Sequence, residues 1–294
     1  MTQFAPAPRA ALLRPATWKR IFTPRPDYLA ACAIMKNEAR WIAEWIAFHR
    51  VVGFERFVLY DNGSTDRTLE IVRSLPDQKS IRIVHWPYSP GQLSAYQHCV
   101  ENYSHCAEWI AFIDIDEFCT PATDTDARNA LTRYEKYGAL LLHWVMFGSN
   151  GLQECTDDLC VEMFTRRGPL NFFANRHVKT IARTRRLRQT GLDPHVFAVD
   201  GLMATENFAE YSGPIGGYLD AEPVANMLRL QHYFVKSRRS WIDKVEKGRV
   251  DTLTKRDLAE FDHYDCNDVE DLAAARFAPA VRKYLGMAPR SGAG

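Results

Sequence analysis

Three carboxylates, Asp114, Asp116 and Glu117, fall within four positions of the run "WIAFIDIDEF" (109–118), directly after five residues with the composition of a buried strand. Repelling carboxylates at the mouth of a strand are hard oxygen donors. A divalent cation such as Mg²⁺ or Mn²⁺ offsets their repulsion and leaves positions for phosphate oxygens. An isolated Asp-x-Asp also occurs on solvated acidic turns. Here the apolar strand before it and Phe118 after it favour a metal-binding site. Two other polar stretches have the same placement. "YDNGSTD" (60–66) follows an apolar run, with Gly63 free to turn sharply, although the same residues also make a good turn and helix cap. "KNEARW" (36–41) follows another run, beside a helix start suited to anions.

The elements that must position these groups alternate. "YLAACAIM" (28–35) has strand length, and Asn37 is a candidate N-cap for a helix carrying Trp41, Trp45, Phe48 and Val52 on one face and ending at Gly53. Strand "RFVLY", turn "DNGSTD", helix "RTLEIVRSL", strand "IRIVHW", helix "LSAYQHCVENY" and strand "WIAFI" follow. Strands separated by helices imply right-handed crossovers and a largely parallel α/β sheet, whose ligands sit beyond the carboxyl ends of the strands. The carboxylates therefore lie where a ligand is expected. After Thr120 the pattern changes: "ALLLHWVMF" is another buried strand, "VKTIAR" and "HVFAV" are shorter ones, and Ser240–Lys247 and Val269–Tyr284 are helical in character.

With 294 residues, 46% of them apolar, the chain has material for a substantial core. We read one domain over 28–285, with a ligand-binding half (28–120) and a completing half (121–285), between a leader (1–27) and a flexible tail (286–294). Seven scattered cysteines without a CxxC pair suggest neither a disulfide framework nor a zinc site, and point to a reducing, cytoplasmic setting. The leader holds Arg9, Arg14, Lys19, Arg20 and Arg25 with no acid before residue 27. Removing those five from 37 leaves 32 basic against 36 acidic residues, a net charge of about −4. Such a leader suits peripheral contact with anionic lipid at the inner face of a membrane, although its prolines equally suit a disordered tail. The slightly acidic body has no basic stripe, so nucleic acid is not an expected partner.

Taken together, "CAIMKNEARWIAEWIAFHRVVGFERFVLYDNGSTDRT", "WIAFIDIDEF", and later "HWVMFGSNG", "HVKTIAR", "PHVF", "LQHYFVKSRRSWIDKVEKGR" and "NDVED" resemble, in the same order, glycosyltransferase family 92 and related family-2-like bacterial proteins. The resemblance spans about residues 28–275. It implies a GT-A fold, a nucleoside-diphosphate-sugar donor (UDP-sugar first), a divalent metal, a glycan or lipid-linked acceptor, and inversion at the anomeric carbon, with cell-surface polysaccharide synthesis as a setting. Carried over by residue, Asp61 resembles the aspartate that bonds the nucleotide base, and Lys36, Asn37 and Glu38 the pocket around the nucleoside. Asp114 and Asp116, with Ile115 between them, match the metal-binding Asp-x-Asp, and His232 resembles a downstream histidine that completes coordination. Lys236 and Arg249 would offset diphosphate charge, and Gln92 would touch the donor or cap its helix.

Transfer also needs a base for the acceptor hydroxyl. His195 in "GLDPHVF" is the first candidate, with Asp157, Asp158, Asp193 and Glu154 as competitors and "GSNG" (148–151) as an acceptor-side loop. Two other enzyme classes fit less well. A haloacid-dehalogenase-type phosphatase carries its Asp-x-Asp after the first strand, whereas here it follows the fourth. A nucleotidyltransferase begins with a Gly-rich basic loop where this chain has "MKNEAR". A catalytically inactive GT-A module that binds a sugar nucleotide or glycan is the alternative from a different class.

Overall fold

A computed structural model describes residues 27–290; the basic leader and its membrane contact lie outside the described residues. The alternation holds. Strand β1 (Asp27–Met35) is followed by helix α1 (Ile42–Val51), β2 (Arg56–Asp61), helix α2 (Thr68–Ser74), β3 (Ile81–His85), helix α3 (Gln92–Asn102) and β4 (Ala107–Phe112). β1 pairs in parallel with β2 on one side and β4 on the other, and β2 pairs in parallel with β3. The chain thus steps outward from β1 to β3 and then returns to the far side of β1. Between β1 and β4 the winding direction reverses, which opens a crevice beyond their carboxyl ends. Met35 and Phe112, the last residues of these two strands, lie below the "KNEAR" and "DIDEF" turns.

These strands are apolar on both faces because both faces are covered. Leu29, Ala31, Trp109 and Ala111 pack with α1, α2 and the C-terminal helix Ala278–Leu285, while Ala30, Cys32, Ile110 and Phe112 pack with α3 and Phe197. Among the described residues no helix is long and apolar enough to cross a membrane, and all seven cysteines are free, four of them buried.

The second half extends the same sheet. β5 (Glu117–Pro121) leaves the "DIDEF" turn, and β6 (Ala139–Met146) runs antiparallel to Val178–Arg183, which is antiparallel to β4. Strand Leu228–His232 pairs with β5 on one side and β6 on the other, in a register that sets His232 opposite Glu117 and Met146. A residue more than a hundred positions downstream is thereby fixed beside the carboxylate turn.

Three local expectations are corrected. Asn37 does not cap α1: it takes a left-handed conformation (φ 51°), its side chain accepts from Thr65 N, and the helix begins at Ile42. Val269–Glu270 is not helical but pairs with Arg166–Arg167, because Asp271 is held by Arg167 and Arg229; the helical segment begins at Ala275. The tail does not detach at 286, since Met287 packs on the core and the Ala288 carbonyl accepts from Arg282.

Gly53, which ends α1, is required on two counts. Its φ of +101° disfavours any side chain, and a Cβ there would lie 2.2 Å from Asp126 Oδ1. Gly53→Ala is expected to destabilise the fold by about 1–3 kcal/mol from backbone strain alone. A denaturation midpoint shifted downward with an unchanged slope is the expected result.

Candidate active site

The carboxylate turn is built as a closed loop of hydrogen bonds. Glu117 N donates to the Asp114 carbonyl (3.1 Å), and Asp114 N donates to Glu117 Oε2 (2.8 Å). Trp45 of α1 donates its indole N–H to both the Asp114 and Glu117 carbonyls, at 3.0 and 2.9 Å. The turn therefore cannot swing away from the sheet, and each carboxylate meets a different neighbour.

Asp114 is fully engaged by protein. Its Oδ1 accepts from Gln92 Nε2 (2.6 Å) and Tyr96 Oη (3.2 Å), and its Oδ2 accepts from Lys179 Nζ (2.8 Å). Lys179, on Val178–Arg183, is 1% exposed and also lies 3.7 Å from Glu117. Burial would lower its pKa, but the Asp114 carboxylate outweighs that and holds it charged. Glu117 is the neutral member of the group: burial pushes its carboxyl up to about 8, against the pull of Lys179.

Asp116 faces a different set. Its Oδ2 accepts from Lys244 Nζ (2.7 Å) on helix Arg238–Lys247, and its Oδ1 lies 3.4 Å from His232 Nε2. Burial acts to raise the Asp116 carboxyl, but Lys244 and His232 reverse the shift and hold it well below the usual range. Burial pulls Lys244 down to about 7, aided by Arg256 and Lys236. It also lowers His232 and keeps that imidazole neutral. His232 Nδ1 is buried without a partner among the described residues, and its ring rests 4.4 Å from that of Trp144.

Among the described residues no three carboxylate, imidazole or thiolate side chains converge into a metal cage. Of the expected trio, Asp114 is held by Lys179, Gln92 and Tyr96 and stands apart from the other two. Asp116 and His232 remain, an ionised carboxylate and a neutral imidazole within 3.4 Å of each other. This donor set fits Mg²⁺ or Mn²⁺ when most remaining positions are taken by phosphate oxygens and water.

These groups open into one cavity, lined also by Lys36, Glu38, Gln92, Ile115, His195 and Arg249. Lys247, which sequence reasoning missed, ion-pairs with Glu38 across it. His195 lies in the same lining, its ring 5.4 Å from that of Trp144. Its Nδ1 bonds the Val178 carbonyl at 2.9 Å, which assigns the proton to Nδ1 and leaves Nε2 as an acceptor. Burial, with Lys179 nearby, lowers its pKa to about 4.

Other candidates lie elsewhere. Asn37 and Lys236 border an adjoining cleft, where Lys236 Nζ sits 4.9 Å over the Trp41 ring. Asp61, 3% exposed, accepts from Ser64 N and closes its own turn, outside the cavity lining. Asp158 is tied to Arg282 (2.9 Å), and Asp157 projects outward, 4.0 Å from Arg40. Both lie at the outer side of α1, which removes them as bases. Glu154 is likewise exposed and outside the lining, and Asp193 instead accepts from His195 N and Gly217 N. "GSNG" does not reach the cavity, because Ser149 and Asn150 bond to Asp265 and Asn267.

Residues 27–192, more than half of the chain, match the model of glycosyltransferase family 92. The chain belongs to that family. It is 31% identical over 134 residues to a family 92 protein of Ricinus communis, covering 44% of this chain and 24% of that protein. It is 28% identical over 138 residues to one of Oryza sativa subsp. japonica, covering 46% and 23%. The chain thus spans about a quarter of the length of these curated relatives. Among solved structures, S. aureus TarS 1-349 aligns with a TM-score of 0.36 at 17% identity, over 53% of this chain and 47% of that one. The family match ends before His195, His232 and Lys244, so their place in this family 92 domain comes from the sheet register and the cavity geometry.

The buried lysine sets a testable condition. Lys179→Met leaves Asp114, 32% exposed at the cavity, without its counter-charge and is expected to cost about 1–3 kcal/mol. Adding Asp114→Asn should recover a large part of that loss, and a double-mutant cycle of denaturation free energies measures it.

Proposed function

We propose that this family 92 domain is a metal-dependent, inverting glycosyltransferase of the GT-A type. It moves a sugar from a nucleoside-diphosphate donor, UDP-sugar in the first instance, to a hydroxyl of a glycan or lipid-linked acceptor, with cell-surface polysaccharide synthesis as a setting. The observation that carries this reading is the approach of Asp116 to His232 (3.4 Å) in a cavity that His195 also lines.

A divalent cation on Asp116 and His232 would stabilise the departing diphosphate as a Lewis acid. The chain's own residues supply the rest. Lys36, Lys244, Lys247, Arg249 and Arg256 surround the cavity and compensate diphosphate charge. Asp114 and Asp116 are each held by a lysine ammonium, which lowers their nucleophilicity toward the anomeric carbon. Direct displacement by the acceptor, with inversion, is then the simpler route. His195 Nε2 accepts the hydroxyl proton while Nδ1–H stays on the Val178 carbonyl. Its low basicity in the free protein reflects burial and Lys179, and a bound diphosphate, being anionic, acts in the opposite direction.

Calorimetry with UDP, with and without Mn²⁺, tests the donor side. Asp116→Asn should abolish the Mn²⁺-dependent part of the affinity, and His232→Ala should weaken it in a way that excess Mn²⁺ partly restores. Unchanged affinity in both variants would remove the metal assignment.

His195→Ala should leave UDP affinity nearly unchanged and lower transfer by ~10²- to 10⁴-fold. The base works in its neutral form, present above its pKa of about 4 and lost as pH falls through that value. The His195 limb of the kcat/KM profile is therefore expected near pH 4 and absent between pH 6 and 8. A protein that binds UDP-sugar but transfers to no acceptor in a broad glycan screen would instead be a sugar-nucleotide-binding module.

A further inference from the structure

Exposed apolar side chains gather at the mouth of the cavity. The three most exposed large apolar residues among the described ones are Leu192 (98%), Leu253 (80%) and Tyr88 (58%). Each stands on a segment that leads into the cavity lining: Pro194 and His195 follow Leu192, Val250 and Arg256 flank Leu253, and Gln92 follows Tyr88. Apolar residues scattered singly over a surface are ordinary, but three around one opening mark a docking surface.

Hydrogen bonds gather all three tips about the start of α3. The Val250 carbonyl accepts from Gly91 N (2.8 Å) and Gln92 N (3.1 Å), which seats the Leu253 loop on the first turn. Thr190 N donates to Gln97 Oε1 (3.0 Å), which seats the Leu192 loop about 7.5 Å further along the helix. Tyr88 precedes the helix, its carbonyl accepting from Asn62 Nδ2 (2.8 Å). Leu93, 37% exposed, lies between the two anchors on the same face as Gln97.

The polar groups beside each leucine are already engaged. Gly191 N donates to the Val196 carbonyl (2.9 Å), and Asp193 accepts from His195 N (2.8 Å) and Gly217 N (3.1 Å). Asp251 accepts from Arg249 Nε (3.0 Å) and Nη2 (2.7 Å), and the Thr252 and Thr254 hydroxyls bond each other at 2.7 Å. Burying either tip therefore strips water from few unpaired polar groups.

Form and charge decide what covers these tips. Single leucines on separate narrow loops give a folded partner no continuous face, whereas a bilayer interface takes each one independently. Lys255 is exposed two residues from Leu253, and the 26 residues before β1 hold five basic side chains and no acidic one. Asp27 starts β1 at the end of the sheet away from the cavity. The nine residues of β1 span about 30 Å, whereas 26 extended residues reach about 85 Å, enough to meet the same surface as the tips.

We propose that the mouth of the cavity docks on an anionic lipid bilayer, with Leu192 and Leu253 entering the interface, Tyr88 at headgroup level, and Lys255 and the leader against the headgroups. The cavity then opens onto the membrane surface. Docking does not depend on the donor or metal assignments, so it is measured without UDP or Mn²⁺.

Vesicle flotation of the full chain tests this. The protein should float with phosphatidylcholine vesicles that contain a third phosphatidylglycerol, and less so as salt is raised. Leu192→Asp and Leu253→Asp should each weaken binding roughly tenfold, with the thermal unfolding midpoint unchanged because both sites are exposed. Leu272→Asp, 54% exposed beside the Arg167–Asp271 ion pair, should bind as the wild type does. In Leu192→Trp the added indole emission should shift to the blue on vesicles and be quenched by brominated acyl chains.

Absence of vesicle binding overturns the docking, and so does an unquenched indole in Leu192→Trp. Binding that survives Leu192→Asp with Leu253→Asp, but is lost when Arg9, Arg14, Lys19, Arg20 and Arg25 are changed to Gln, would assign the contact to the leader alone and overturn it. A wild-type dimer in sedimentation velocity that the double leucine variant dissociates would place a second copy on the mouth instead, with the same consequence.

Discussion

The contact between buried Lys179 and Asp114 is the constraint on which the rest of the site depends. A turn that carries three carboxylates at the end of a core strand is electrostatically unstable unless opposite charge is brought to it. The first half of the domain contributes Gln92, Tyr96 and Trp45, which orient the turn but carry no charge. Both compensating ammonium groups come from the second half: Lys179 from a strand antiparallel to β4, and Lys244 from a helix placed by the Leu228–His232 strand. The two halves are therefore one folding unit with respect to the site.

The same register divides the labour between the carboxylates. Lys179 meets Asp114 because it stands on the strand beside β4. His232 meets Asp116 because β5 leaves the turn directly and Leu228–His232 pairs along it, with Tyr233 N donating to the Asp116 carbonyl at 2.9 Å. One carboxylate is thus locked by protein and the other left with a partner set that a cation and a diphosphate can enter. Glu117, uncharged and behind both, closes the turn rather than adding a third negative charge.

The alternating strands and helices were legible in the sequence because hydrophobic period is local, and so was the placement of "DIDEF" at a carboxyl edge, which follows from topology. His232 was found through motif resemblance and His195 through its place in the second half and its suitability as a base, and both line the cavity. Lys179 and Lys244 were not found. The only local signal for Lys179 was a charge inside the apolar run "VKTIAR", and Lys244 is one of four basic residues on its helix. Neither identifies its partner, because register, not spacing, brings each to its carboxylate. The errors have the same origin. Asp157 and Asp158 are acidic and near in sequence to the expected acceptor loop, yet Arg40 and Arg282 hold them on the far side of α1. Asn37 has the composition of a cap, but the facing "NGST" turn takes its side chain first.

The neutral state of His195 follows from the same distribution of charge. Lys179 faces the cavity as well as the turn, and its ammonium disfavours a second positive charge on His195. Had Asp114 been free, His195 would lie near an uncompensated anion and tend to protonate, leaving two N–H donors where the tautomer now provides an acceptor. The ion pair that stabilises the turn thus also sets the hydrogen-bonding character of His195 in the same cavity.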